Sequence, residues 1–499
     1  MLIAALTGLY LLLPTRNSSL DAWYYAACVR YGHELLLPHH LLFNVAGRLW
    51  LQLLQLTGLR PDALAAVQAL NALAAGATLA LLYCLLRRLG RGRPLAMAWV
   101  LVVGSSFGVM RFATEAETYI LPLLLSLAAS RCWVQYLLLP GRPAGLLFSA
   151  GLLASLACLL HQVHVFWWLG LLLGTVWLAT AKAKALLTYA LPALLVPLAY
   201  ALALPSWNLP LTVDALWHFV FHDYYAGAGG GVSGRGLLLT GANVVRTFGQ
   251  VHGSTLALVQ RLPGLLAVPL IVVGLLMYAA WQVRRQSRGR QAEKRPASPL
   301  WGQICLVHAL ILVLHLLFAA YSDGNAEFMV MLPALLAVAA SQLNLPARSV
   351  AVAGGALLLW NLAFGLVPAR LLQFTNHTRL LSRIQQEPRA WFLLDNHNLV
   401  LNQLHYLTGN PAGPANVLPA PTLLVQRPDS TAEGFRQWLR AQRQAERVVY
   451  TNTLGAPRLL DRAQLVYGNQ NAALLAGFRT ARVDSFPTFF GPYYLTVIQ

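Results

Sequence analysis

Long apolar runs without a charge constrain this 499-residue chain more than any other feature. Residues 146–160 and 265–281 contain no Asp, Glu, Lys or Arg. An α-helix rises about 1.5 Å per residue and the hydrocarbon core of a bilayer is about 30 Å thick. Runs of this length and composition predict helices that cross a membrane, because lipid leaves open backbone groups unsatisfied. Composition agrees: apolar residues make up 57% of the chain and charged residues 11%, against roughly 25% charged in a soluble domain. A soluble enzyme, a disordered chain and a coiled coil are excluded. The five cysteines (Cys28, Cys84, Cys132, Cys158, Cys305) are scattered, and read as small apolar residues rather than a disulfide frame or a metal site.

Eleven spans are predicted, at 1–14, 63–86, 95–110, 118–138, 145–160, 163–181, 185–204, 263–283, 301–320, 328–343 and 349–366. The first is short. It reads as a short span, or one whose beginning lies upstream of Met1. Segment 41–58 is apolar but carries Asn44, Arg48, Gln52 and Gln55, and an Arg at mid-membrane costs about 2.5–3.5 kcal/mol on insertion scales. It is therefore predicted to lie in the interface.

Charge parity orients the bundle. With eleven spans, one set of loops holds Arg87, Arg88, Arg91, Arg93, Arg142, Lys182, Lys184, Arg284, Arg285, Arg288, Arg290, Lys294, Arg295 and Arg348. Short loops this basic are cytoplasmic. The formal charge of +19 then reflects membrane orientation and calls for no nucleic-acid partner. The N-terminus is predicted inside and the C-terminus outside. Of ten acidic residues before residue 367, nine fall on the outer side and only Glu293 on the inner. His33, His39, His40, His161, His164, His218, His222 and His252 join them there. The groups able to do acid–base chemistry thus gather on one face, although longer outer loops alone would also collect polar residues.

Two outer regions are long, 15–62 and 205–261. The second contains the glycine-rich stretch 226–236 (AGAGGGVSGRG), which lacks the following Lys-Ser/Thr of a phosphate loop. It reads as a hinge, or in a functional version as a lid. From residue 367 the composition changes. Residues 367–499 hold no run of spanning length and alternate strand-like pieces (391–394, 448–451, 493–498) with a helix-like one (433–446), which predicts a small α/β domain outside the membrane. Residues 1–366 form the predicted transmembrane domain.

Four outer segments carry candidate chemistry. Asp21 lies about seven residues past the first span, before Trp23, Tyr24 and Tyr25 of an interfacial aromatic belt. It could take a proton from an acceptor hydroxyl, or it could cap the following helix. Arg111, Glu115, Glu117 and Tyr119 occupy the turn between the third and fourth spans. In an extended turn the two carboxylates could converge on a cation, or one could pair with Arg111 while the other faces a substrate. His161 and His164 share a helix face at the end of the fifth span, a spacing compatible with metal ligation but with no third ligand specified. His39 and His40 form a similar pair. Asp323, Gly324 and Asn325 make a turn by their own chemistry, leading to Glu327 at the start of the tenth span. His308 and His315 share a face of the ninth span and are expected to pack inside the bundle. A bound phosphate would require arginine, and the outer candidates are Arg16, Arg30, Arg111, Arg235 and Arg246.

In order and sidedness these segments resemble the GT-C superfamily of membrane glycosyltransferases, over roughly residues 1–366. The resemblance rests on about eleven spans, on Asp21 after the first and on Glu115-Ala-Glu117-Thr-Tyr119 after the third. It is strongest to bacterial relatives of the protein O-mannosyltransferases, through Glu117-Thr-Tyr119 and Gly324-Asn-Ala-Glu327-Phe328. His39-His40 stands where such proteins carry His-Pro-Pro, without the prolines, and Asp21 is followed by Ala22 where they carry Glu. The resemblance implies a polytopic α-helical GT-C-like fold and inverting transfer of a sugar from a polyprenyl-phosphate donor to a hydroxyl of a protein, lipid or glycan acceptor. It further implies Asp21 as catalytic base and Glu115 and Glu117 as positioning groups for acceptor, donor phosphate or a possible divalent metal. The extracytoplasmic C-terminal domain would contact the acceptor. Scarce disulfides and the absence of organelle signals suggest a bacterial inner membrane. The alternatives are a transporter, which would want charges at mid-depth, and a non-catalytic membrane scaffold.

Overall fold

The computed structural model describes residues 1–222, 224–225, 230–231, 233–251, 253–289, 299–343, 345–455 and 470–499. Asp223, His252, Glu293 and five positions of the glycine-rich stretch lie outside the described residues. The chain divides into two compact units. The first comprises Met1–Pro14, Gly32–Val251 and Leu262–Leu366; the second comprises Thr15–Tyr31, His252–Arg261 and Val367–Gln499.

The first unit is helical. Six of the helices in the described chain are long and apolar enough to cross a membrane: Ala63–Arg88, Ile120–Leu138, Lys182–Trp207, Pro263–Gln286, Pro299–Tyr321 and Ala347–Leu371. Arg93–Ser105 and Phe107–Ala113 make a seventh as a pair bent by 65°, and Leu2–Leu12, Ala144–Leu160, Gln162–Leu178 and Ala326–Gln342 are shorter apolar helices. Each segment predicted to span is therefore helical, although four are short for a full crossing. Segment 41–58 contains the helix Phe43–Leu56, with Leu49, Leu53 and Leu56 exposed along it. Leu270, Ile271, Val273, Leu276 and Met277 are exposed on one long helix, a surface that suits lipid rather than water. The chain is an integral membrane protein.

Local chemistry explains the helix ends and breaks. Asp62 caps Ala63–Arg88 by accepting the Leu64 and Ala65 N–H groups. The bend at Ser106 leaves backbone groups without intrahelical partners. Asn361 meets one of them, its Nδ2 donating to the Ser105 carbonyl at 2.7 Å, and joins the bend to the segment after Gly234–Phe248 by donating to the Phe248 carbonyl at 2.7 Å and accepting from Gln250 N at 2.8 Å. Prolines 192 and 205 break Lys182–Trp207 into α and 3₁₀ pieces. Close packing uses small residues, since a Cβ on Gly174 would sit 2.7 Å from the Trp133 ring.

Some of the basic turns are tied to neighbouring helix ends. Gly90 lies against Trp301, Arg91 donates to Gln342 Oε1 at 3.2 Å, and Arg142 donates to the Leu178 carbonyl at 2.9 Å.

In the second unit a five-stranded sheet has the order β2-β1-β3-β5-β4, with β1 Trp391–Leu394, β2 Val417–Pro419, β3 Val449–Thr451, β4 Thr480–Phe486 and β5 Tyr493–Ile498. β1 pairs parallel with β2 and β3, whereas β3–β5 and β5–β4 are antiparallel. Phe392, Leu394, Phe486 and Leu495 form a core on one face with Leu380, Ile384, Val400 and Leu404. β1, β3 and β5 match the predicted strands; β2 and β4 were not foreseen.

Helix Leu20–Tyr31, which carries Asp21, belongs to this second unit. Asn17 ties its approach to the chain after the last long helix. Asn17 Nδ2 donates to the carbonyls of Ala369 at 2.8 Å and Leu372 at 2.9 Å, and its Oδ1 accepts from Phe374 N at 2.7 Å. The helix itself packs on His397–Thr408. Trp23 meets Tyr406 edge-on at 5.1 Å, the Arg30 guanidinium lies 4.9 Å over the same ring, and Asn402 donates to the Leu20 carbonyl at 3.0 Å.

Candidate functional site

The turn Thr114–Thr118 in the first unit is pinned from below. Asn71, fully buried in the long helix Ala63–Arg88, donates through Nδ2 to the Glu115 carbonyl at 2.8 Å and the Glu117 carbonyl at 2.7 Å. One amide thus satisfies two backbone acceptors that no helix ladder reaches. The turn is closed at its start by Thr114 Oγ1, which donates to the Met110 carbonyl at 3.0 Å. Both glutamates are buried, at 4% and 2% exposure, and Ala116 N donates to Glu115 Oε1 at 3.0 Å.

Tyr119 follows the turn and donates its hydroxyl to Glu327 Oε2 at 3.0 Å. Arg111 forms an ion pair with Glu327 Oε1 at 3.7 Å, each about one-third exposed. This partner of Arg111 lies 327 − 111 = 216 residues away in sequence. Arg246, on the helix Gly234–Phe248, completes the group. Its pKa is lowered by burial and by Arg111, and raised by Glu327. Arg246 therefore lies within the electrostatic influence of both members of the Arg111–Glu327 pair.

The Asp323-Gly324-Asn325 turn positions Glu327. Asp323 and Gly324 both have positive φ, 51° and 70°. A Cβ on Gly324 would lie 2.5 Å from Thr240 N, so only glycine fits between the turn and the helix Gly234–Phe248. Asn243 Nδ2 donates to the Gly324 carbonyl at 2.7 Å, and Asn325 Oδ1 accepts from Glu327 N at 3.0 Å. The predicted turn forms, and Glu327 sits in the short 3₁₀ helix Ala326–Met329 that precedes the span.

The histidines converge on the same place. The Tyr119 ring lies 4.9 Å from His161, whose ring is 4.4 Å from His40 and 6.4 Å from His164. His39 is 6.3 Å from both His40 and His222, and its Nδ1 lies 3.0 Å from Gln162 Oε1. Gln162 Nε2 also donates to the Pro38 carbonyl at 3.1 Å, joining the 37–40 loop to the end of the fifth predicted span. Burial, reinforced by the surrounding imidazoles of His40, His164, His39 and His315, holds the His161 pKa well below its ordinary value. Among the described residues no group of three or more His, Cys, Asp or Glu side chains is arranged to hold a metal ion.

Asp21 lies in the second unit, exposed, in the first turn of Leu20–Tyr31. Ser19 Oγ accepts the Ala22 N–H at 3.0 Å, so a serine serves the cap considered for Asp21. Arg111, Glu115, Glu117, Tyr119, His39, His40, His161, His164, Asp323, Asn325 and Glu327 all belong to the first unit. Arg246 was one of the five arginines considered for a phosphate, whereas Asn71, Gln162 and His315 were not singled out as site residues. Asn71 had a signal, an Asn and a Gln inside an otherwise apolar helix; the others depend on long-range contacts.

The sequence matches no family model and no curated relative. The fold does have solved counterparts. ArnT from Cupriavidus metallidurans bound to undecaprenyl phosphate is 11% identical, with a TM-score of 0.53 over 99% of this chain and 97% of that one. Archaeal oligosaccharyltransferase AglB from Archaeoglobus fulgidus, in complex with an inhibitory peptide and a dolichol-phosphate, is 10% identical with a TM-score of 0.49 over 99% of this chain and 74% of that one. The likeness to ArnT over nearly the whole of both chains shows a shared fold. The particular reaction of this chain is a matter of the site.

Proposed function

We propose that the protein transfers a sugar from a polyprenyl-phosphate donor to an acceptor hydroxyl at the outer face of the membrane. The observation that carries this reading is the Arg111–Arg246–Glu327 cluster. One guanidinium paired with Glu327 and a second within the electrostatic influence of that pair leave a net positive charge in a partly buried place, which suits a phosphate. The GT-C fold supports a lipid-linked donor, and the buried Glu115–Tyr119 turn supplies a rigid frame beside it.

The chemistry is a single displacement. The acceptor oxygen bonds to the anomeric carbon as the bond from that carbon to the phosphate oxygen breaks, inverting the centre. The acceptor proton passes to the Asp21 carboxylate, and polyprenyl phosphate departs with its charge stabilised by Arg111 and Arg246. The role of Asp21 rests on the family resemblance and on its exposed carboxylate. Glu115 and Glu117 are positioning residues in this scheme. The protein is assigned to a bacterial inner membrane, with its C-terminal domain outside and in contact with a protein, lipid or glycan acceptor.

The test is transfer from a panel of labelled polyprenyl-phosphate sugars by the purified protein in liposomes. Wild type is expected to release polyprenyl phosphate with one donor class. Arg246→Gln and Arg111→Gln should each raise the donor KM about tenfold, the loss of one charge-assisted contact. Unchanged KM in both variants would remove the cluster from the donor site.

A further inference from the structure

Three histidines beside this cluster are buried with one ring nitrogen each lacking a partner. Among the described residues, His161 Nε2, His164 Nε2 and His315 Nε2 have no hydrogen-bond partner. Buried polar atoms are nearly always satisfied, so each exception requires a cause.

Their other nitrogens reveal what the open ones can do. His161 Nδ1 accepts from Val163 N at 3.3 Å. A backbone N–H can only donate, so the His161 proton sits on Nε2 and the open atom is a donor. His315 Nδ1 lies 2.9 Å from the Ile311 carbonyl. A carbonyl can only accept, so Nδ1 carries the proton and the open Nε2 is an acceptor. His164 Nδ1 pairs with Ser126 Oγ at 2.7 Å. The site therefore offers donor and acceptor together.

His308 is the internal control. It lies seven residues before His315 on the same helix and bonds the Ile304 carbonyl in the same way, at 2.9 Å. Its Nε2, however, is met by Ser130 Oγ at 3.0 Å. The bundle satisfies one imidazole from within and leaves the next one open.

The walls are aromatic. Tyr119 is 4.9 Å from the His161 ring, Phe328 is 6.0 Å from it, and Trp167 stacks on His164 at 6.2 Å. Aromatic faces beside mixed, uncharged donors and acceptors suit a ring bearing hydroxyls, whereas a charged group would need a counter-ion there. The place is also telling. Tyr119 touches His161 on one side and donates to Glu327, the partner of Arg111, on the other. One residue separates the arginine cluster from the histidines, as a phosphate is separated from its own sugar by one bond.

We propose that His161, His164 and His315, with Tyr119 and Phe328, form the subsite for an uncharged, hydroxylated sugar ring of the donor. This rests on the reading of Arg111 and Arg246 as the phosphate site. Ordered water filling the same atoms is the rival occupant.

Competition binding to the full-length protein in liposomes separates the two, with bare polyprenyl phosphate and polyprenyl-phosphate hexose as probes. Wild type should prefer the hexose-bearing carrier. His315→Leu and His161→Gln should each lose about tenfold in affinity for it, and leave affinity for the bare carrier within about twofold. His308→Leu should leave the ratio of the two affinities unchanged. His315→Leu should also fold at least as stably as wild type, because it removes an unsatisfied atom. His161→Gln, outside the apolar helices, provides a second reading should His315→Leu not fold. An unchanged ratio in both variants would make this a hydrated core and overturn the subsite alone. Equal loss with both probes would also overturn it. Wild type that binds neither carrier would overturn the phosphate reading beneath it.

Discussion

The Glu115–Glu117 turn and the helix that carries Asp21 hold their carboxylates in opposite ways. The turn's carboxylates are buried and its backbone is gripped by Asn71 from the interior of a long apolar helix. Asp21 is exposed, on a helix in which Ala22 and Tyr25 to Val29 are buried. A buried carboxylate is costly unless bonded, so the first pair is fitted to hold shape. An exposed carboxylate on a rigid helix can exchange a proton without disturbing the fold. The same residue type thus serves two tasks, distinguished by burial. The units differ likewise: the turn belongs to the transmembrane unit, while the Asp21 helix packs with His397–Thr408 of the sheet-bearing unit.

Breaking the grip on the turn should have the largest effect on stability. Asn71→Leu strips two buried carbonyls of the bonds that Asn71 donates, at about 1–3 kcal/mol each. The thermal midpoint in detergent should fall sharply and transfer should fall with it; an unchanged midpoint would deny the clamp. Gly324→Ala should cost less, about 1–3 kcal/mol, because a Cβ there meets the Thr240 backbone in a left-handed conformation. Its effect should appear as weaker donor binding through a displaced Glu327, read by the donor KM.

A smaller effect concerns pH. His161 has a folded pKa well below its ordinary 6.5, from burial first and then from His40, His164, His39 and His315. The unfolded chain takes up a proton as pH falls through about 6.5, and the folded chain does not. The stability this histidine contributes is therefore present above that pH and is lost as pH falls toward the folded value. The midpoint should decline below pH 6.5, and His161→Gln should flatten part of the decline. A slope unaltered by the substitution would contradict the buried neutral state. Asp21→Asn, by contrast, should leave the stability profile within error of wild type.

Much of this was legible in the sequence because it depends on local chemistry. Apolar length located the helical spans, and Asp-Gly-Asn specified a turn that forms with two positive φ angles. The strands at Trp391, Val449 and Tyr493 followed from composition, whereas three-residue β2 and the mostly exposed β4 had too weak a pattern to read. What escaped notice depends on partners far apart in the chain. The Ser105 carbonyl at the bend is met by Asn361, and Arg246 comes under the electrostatic influence of Glu327 only once the helix Gly234–Phe248 packs on the turn. His315 could be placed inside the bundle from its spacing, but that its Nε2 lacks a partner could not. Nor does local sequence reveal that residues 15–31 fold with the C-terminal part; the Asn17 clamp spans about 350 positions.

The central claim is that an exposed Asp21 performs the proton transfer within an otherwise unaltered fold. A direct test is single-turnover transfer by wild type and Asp21→Asn, in liposomes loaded with labelled polyprenyl-phosphate sugar, alongside their thermal midpoints. The account predicts a loss of about 10²–10⁴-fold in the rate, with donor binding and midpoint retained. A rate within threefold of wild type would contradict it and move the base to another group.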